Sequence, residues 1–271
     1  MVSIQFSVST LLFASLSLLN GQSASAQSPQ TANGGFLQEA KAESTAQPQR
    51  VAPQPNLTPE MRGDILMARK MYREAVEVYG EGPANSPVLA NKIGIGYHQM
   101  LSLDLARKNY ERAIRLKPDY SEAVNNLGTV FYARKNYRRA VSLYNRALKL
   151  TPKSASVMSN LGTAQFARKK YKEAFEAYQQ ALALDPEVFE HRNSHGVLLQ
   201  ERSVEERAKF HFYLAKTYAK AGTFDRALLY MRKAIEEGFT ERQKFREDPD
   251  FAKMRDNDEF KSLLELEPRV L

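Results

Sequence analysis

Small and hydrophobic residues return along this chain every 34 positions. The clearest unit reads Leu127-Gly128, Phe131, Ala140, Tyr144, Ala147 and Pro152. Thirty-four positions later stand Leu161-Gly162, Gln165, Ala174, Tyr178, Ala181 and Pro186; 34 earlier stand Ile93-Gly94, Tyr97, Ala106, Tyr110, Ala113 and Pro118. Within a unit the apolar spacing is helical. Val124, Leu127 and Phe131 share one face of a first helix, and Tyr137, Ala140, Val141, Tyr144, Ala147 and Leu148 share one face of a second. Residues 134–136, between the two faces, carry no apolar periodicity and predict a short turn. Each period is therefore a helix–turn–helix, and recurrence at this length predicts stacked units.

The fixed positions have physical reasons. Gly94, Gly128 and Gly162 fall inside a predicted helix, where glycine costs about 1 kcal/mol relative to alanine. A cost repeated at one site predicts a close helix–helix approach that a side chain would block, and Ala106, Ala140 and Ala174 fit the same logic on the second helix. Pro118, Pro152 and Pro186 end the second helix, because proline lacks the amide donor and clashes with the preceding turn. Thr58-Pro59-Glu60 and Ser86-Pro87 are helix starts, with a cap followed by proline at the first helical position. Asp119 with Glu122 reads as a capping box. Two further copies are degenerate: Arg62-Gly63, Leu66, Ala75 and Tyr79 upstream, and Leu214-Ala215, Tyr218, Ala227, Met231 and Ala234 downstream.

This pattern of a residue pair ending in Gly, an aromatic, Ala-x-x-x-aromatic, Ala and Pro resembles the tetratricopeptide repeat. The leading Trp of that repeat is replaced by Ala90, Val124 and Met158. The resemblance covers about residues 56–240. It implies an all-α fold, a right-handed superhelical solenoid of about five repeats (56–86, 87–120, 121–154, 155–186 and 208–240). It also implies a protein-interaction scaffold, with no catalysis or cofactor of its own, that receives a protein or peptide segment in a concave groove lined by the first helices. Carried over by position, the groove residues are Asn91, Ile95 and His98; Glu122, Asn125, Asn126, Thr129 and Tyr132; and Ser159, Asn160, Thr163 and Phe166. Asn126 and Asn160 are one period apart, and their amides offer both donor and acceptor to a peptide backbone. The lysines with which some relatives clamp a C-terminal carboxylate are replaced by Asn91, Asn125 and Ser159.

The ends and the interruption depart from the repeat. Residues 11–19 are apolar and are followed by a small-residue segment ending Ala24-Ser25-Ala26, which predicts export with cleavage near Ala26; an uncleaved membrane anchor is the alternative. The expected location is periplasmic or secreted, in a bacterial envelope. Residues 27–55, rich in Gln, Ala, Ser, Pro and Thr, predict a disordered linker. The spacing from Ala174 to Ala227 exceeds one period by 19 residues, which assigns an insert to 187–207. Residues 241–271 predict a helical cap over the last repeat.

Composition then narrows the chemistry. The 271 residues include no cysteine, which excludes disulfides and thiolate sites. The formal charge is +8. Residues 87–154 alone hold 13 Lys or Arg against 4 Asp or Glu. A basic patch is assigned to Arg134, Lys135, Arg138, Arg139, Arg146, Lys149, Arg168, Lys169 and Lys170. Its two readings are a solvated face and attraction to an anionic partner, lipid or envelope polymer. Charge alone would permit nucleic acid, but no groove-reading motif accompanies it and export argues against it. His191 and His195, four residues apart, with His211 or Glu190, are weak candidates for a metal site, and a metal-dependent hydrolase built on the insert is the enzymatic alternative.

Overall fold

The computed structural model describes residues 57–190 and 203–266. The predicted leader, the linker, and His191 and His195 lie outside the described residues. Among the described residues every regular element is helical. Five helical hairpins follow one another: α1 (Pro59–Ala68) with α2 (Tyr72–Gly80), α3 (Pro87–Gln99) with α4 (Leu103–Leu116), and α5 (Ser121–Ala133) with α6 (Tyr137–Leu150). Then come α7 (Ala155–Ala167) with α8 (Tyr171–Leu184), and α9 (Val204–Ala221) with α10 (Phe224–Glu236). Each helix through α8 packs on its partner and on the next in the chain, α9 packs on α8, and this continuous stacking makes the array an all-α solenoid.

The starts and stops follow local chemistry. Thr58, Ser86, Ser154 and Ser203 accept from the amides of Met61, Leu89, Val157 and Glu206 at the starts of α1, α3, α7 and α9. The capping box expected at Asp119 does not form. The helix begins at Ser121 after Tyr120, without a side-chain cap. Glu122 reaches Asn91 on the neighbouring helix instead. At the far ends, Lys117, Thr151 and Asp185 leave the helical region just before Pro118, Pro152 and Pro186.

The core explains the 34-residue recurrence. Ala75, Ala106, Ala140, Ala174 and Ala227 are fully buried where the two helices of a hairpin cross. Tyr79, Tyr110, Tyr144 and Tyr178 are buried beside the glycine of the facing helix. A Cβ added at Gly94 or Gly128 would stand 2.6 Å from the ring of Tyr110 or Tyr144 respectively, so the glycine is the space the ring occupies.

Two regions depart from the repeat. The stretch assigned to an insert is partly core. Val188 and Phe189 are buried, with the Phe189 ring edge-on to Tyr178 at 5.5 Å and to Tyr218 at 6.0 Å. At its other end α9 begins at Val204, four residues before the repeat start assigned from spacing. The C-terminal end is closed by α11 (Gln243–Glu247), a 3-10 helix (Pro249–Met254) and α12 (Asp258–Glu265). Phe239, Phe245, Phe251 and Phe260 pack there on Phe212 of α9 or on one another, Phe212 and Phe239 stacking at 4.6 Å. Lys216 of α9 pins this cap through Asp248 at 2.5 Å.

Candidate functional site: the face of the first helices

The first helices of successive hairpins touch one another, α3 with α5 and α5 with α7, and no pair of second helices does so to that degree. This puts the first helices on the inner side of the stack. Their period then aligns equivalent side chains across repeats.

Those side chains are wired together. Asn91 donates to Glu122 Oε1 at 2.9 Å, Asn126 donates to Asn91 Oδ1 at 3.1 Å, and Asn160 donates to Asn125 Oδ1 at 3.0 Å. Asn125 and Asn126 close the run with a 3.4 Å bond. The two asparagines read as groove rungs thus belong to a four-amide line crossing three repeats. Each amide has four hydrogen-bonding positions, so this use leaves capacity for a ligand.

Beside the amide line, at its N-terminal end, lies a cavity of about 320 Å³. Met67, Val88 and Ile95 form its apolar wall, and Asp64, Tyr79, Asn91, Lys92, Tyr120 and Glu122 its polar one. Lys92 bridges Asp64 at 2.7 Å and Glu60 at 2.8 Å. Burial opposes the charge on Lys92, but hydrogen bonds to the two carboxylates outweigh it and hold its pKa above the ordinary value. Tyr79 donates to Asp64 at 2.7 Å, and burial, reinforced by that carboxylate, pushes its hydroxyl up. Tyr120 donates to Glu122 at 3.4 Å, and burial followed by the Glu122 charge raises its pKa. Three carboxylates around one ammonium leave this mouth negative on a chain that is basic overall. Such a setting accepts cationic and amide groups.

The sequence-assigned groove residues divide in two. Ile95, His98, Asn125, Asn126, Thr129 and Asn160 are partly open and Glu122 is exposed. Asn91, Tyr132, Ser159, Thr163 and Phe166 are buried and belong to the packing beneath the face. Thr163 donates to the Ser159 carbonyl at 3.0 Å and lies 3.5 Å from the Tyr178 hydroxyl, while Phe166 packs edge-on to Phe210. His98 sits between Thr129 and the Tyr110 ring, and burial lowers its pKa. Glu60, Asp64 and Tyr120 were not among the assigned residues. The signal for two of them was present: Glu60 stands where Asn91 and Asn125 do, and Asp64 follows Gly63 as Ile95 follows Gly94. The three-residue shortening of the first repeat obscured both.

The basic patch also divides. Arg134, Lys135, Arg168, Lys169 and Lys170 occupy the turns inside hairpins, with Arg138 and Arg139 beside them in the first turn of α6; Arg146 and Lys149 lie near the other end of α6. Arg134 pairs with Asp104 at 2.5 Å, Arg139 lies over the Phe131 ring, Arg146 donates to the Pro118 carbonyl, and Arg168 donates to Gln165. Of the candidate metal ligands, His211 is buried against Glu237 at 2.7 Å. Glu190 pairs with Arg226 at 2.9 Å and accepts from Tyr218 and Tyr230. Among the described residues no group of three His, Asp or Glu is placed to hold a metal.

Stacked helical hairpins with a polar inner face define a repeat-scaffold class. The family model described as tetratricopeptide repeat matches residues 119–187, which span α5 to α8. A 67-residue stretch is 36% identical to the "Uncharacterized protein ycf37" of Porphyra purpurea, covering 24% of this chain and 39% of that protein. Solved structures of similar shape include MamA (19% identity, 65% of this chain and 93% of that one, TM-score 0.45). Another is MamA 41-end from Desulfovibrio magneticus RS-1 (20%, 65% and 90%, 0.45). A third is YrrB, described as a TPR protein with an unusual peptide-binding site (18%, 66% and 84%, 0.43).

Proposed function

We propose that the protein is a non-enzymatic binding scaffold whose inner face takes an extended segment of a partner polypeptide. The amide line Asn91–Asn126–Asn125–Asn160 contacts the partner's backbone, and the cavity at Glu122 and Asp64 receives a lysine or arginine side chain. The observation that carries this reading is that cavity. It combines an apolar wall with a net-negative mouth, and it opens where the aligned amides begin. Export of the mature chain into a bacterial envelope, proposed from the sequence at residues 1–26, would make the partner an envelope or secreted protein.

Selection of short random peptides against the purified protein tests the reading. Enriched peptides should carry a basic residue. Glu122→Gln, which keeps an acceptor for Asn91 but removes the charge, should weaken them about tenfold, since a hydrogen bond to a charged group contributes about 1.5–3 kcal/mol. Asn126→Ala should weaken them about fivefold. Peptides that bind both variants as well as the parent would place the site elsewhere.

A further inference from the structure

The edge made by the turns inside the hairpins is chemically unlike the edge made by the turns between them. Take the inner turn of each of the first four hairpins with the first turn of the helix that follows: residues 69–74, 100–105, 134–139 and 168–173. Together they hold eleven Lys or Arg against three Asp or Glu. The linking turns, 81–86, 117–120, 151–154 and 185–187, hold two against four. A surface that is basic merely for solubility has no reason to sort its charge onto one edge. Lys70, Lys135 and Lys169 are exposed at the apex of their turns and pair with no carboxylate among the described residues, so their charge faces outward.

The second hairpin breaks the row with the opposite chemistry. Where its neighbours place lysine, it places Leu101, which is 71% exposed, and Leu105 behind it is 44% exposed. Leu101 also adopts the left-handed conformation, at φ 58°, which costs a branched apolar side chain about 1–2 kcal/mol and gains it no burial. The Arg134–Asp104 ion pair ties the third turn to this second hairpin, so apolar and basic groups share one edge. Hairpin axes lie about 10 Å apart in such stacks, so the apolar tip sits within about one Debye length of the cations beside it.

From this juxtaposition we propose that the inner-turn edge docks on an anionic lipid bilayer. Leu101 enters the headgroup–acyl boundary, and Lys70, Lys135, Lys169 and their neighbours hold the phosphates around it. Apolar tips flanked by cations suit this interface, because each part alone binds weakly and the two add. A soluble polyanion would use the cations and leave Leu101 unexplained. The inner face used in the reading above remains open in this pose, and the two sites do not depend on each other.

The chain has no tryptophan, so Leu101→Trp makes a single reporter at the tip, and Thr151→Trp makes one on the opposite edge. The full chain is mixed with phosphatidylcholine vesicles with and without about one-third phosphatidylglycerol. All variants share the apolar N-terminal segment, so its own affinity cancels in the comparison. Leu101→Trp emission should shift to the blue on the anionic vesicles only, Thr151→Trp should stay unshifted, and added salt should reverse the effect. Lys135→Gln with Lys169→Gln should lower partitioning about 25-fold, at about fivefold per cation near the surface. Far-UV circular dichroism checks that each variant folds. The proposal is overturned by a Leu101→Trp spectrum unchanged on anionic vesicles, by an equal shift at Thr151→Trp, by equal binding to neutral vesicles, or by an equal shift with inorganic polyphosphate.

Discussion

Gly128 lies against Tyr144, sixteen positions on, and the same distance separates Gly94 from Tyr110 and Gly162 from Tyr178. In the fifth hairpin the glycine is Ala215, and the sixteenth position is Met231, fully buried. The extra methyl on one helix is matched by a narrower, more flexible side chain on the other. Size is thus set by the pair. Gly128→Ala gains about 1 kcal/mol of helix propensity but drives a Cβ into an immobile ring, and overpacking of this kind costs about 1–3 kcal/mol. A net loss of up to about 2 kcal/mol is expected. Gly128→Ala with Tyr144→Met should lose less than the sum of the two single changes. Urea denaturation of the four proteins in a double-mutant cycle measures the coupling, and strict additivity would show that the ring does not set the glycine.

Each hairpin turns through one left-handed residue: Lys70, Leu101, Lys135, Lys169 and, in the fifth, Gly222. Only Gly222 adopts that conformation without a Cβ penalty. In the third hairpin the Lys135 and Asn136 amides bond to the Tyr132 and Phe131 carbonyls, closing α5 in the Schellman manner. Lys135→Gly keeps those bonds and removes the penalty of about 1–2 kcal/mol, offset by the greater freedom of glycine in the unfolded chain. An increase of about 0.5–1 kcal/mol is expected, read as a higher urea midpoint at unchanged slope. A lower midpoint would mean that the lysine side chain itself stabilises the turn. This element was legible as a turn from its missing apolar period. Its backbone sign was hidden, because nothing in a lysine announces positive φ.

The described hairpins form a linear stack, so the ends of the array matter more than in a closed core. The last hairpin would expose Phe212 and Leu214 without the phenylalanine cluster of the cap. Truncation after Gly238 removes Phe239, Phe245, Phe251 and Phe260, each contributing about 1.5–3 kcal/mol of burial as an upper bound. The shortened protein is expected to lose its fifth hairpin first and to associate through the bared face. Size-exclusion chromatography should show higher-order species, with less helix by circular dichroism. A monomer of unchanged helicity and midpoint would overturn that role for the cap.

Residue identity and spacing by themselves determined the hairpin, its period and its stops, because glycine, alanine and proline act through local sterics that any chain of this order obeys. The period carried Asn126 and Asn160 to equivalent places, and the resemblance to the tetratricopeptide repeat assigned both to the groove. Only the tertiary structure decided which of those positions reach the surface. Asn91, Ser159, Thr163 and Phe166 share the inner-face register yet are buried, because exposure depends on what the neighbouring repeat covers. It alone joined Asp64, Lys92 and Glu122 across three repeats, and it split the basic residues between two edges. Those relations span about 30 residues of sequence and exist only once the repeats have stacked.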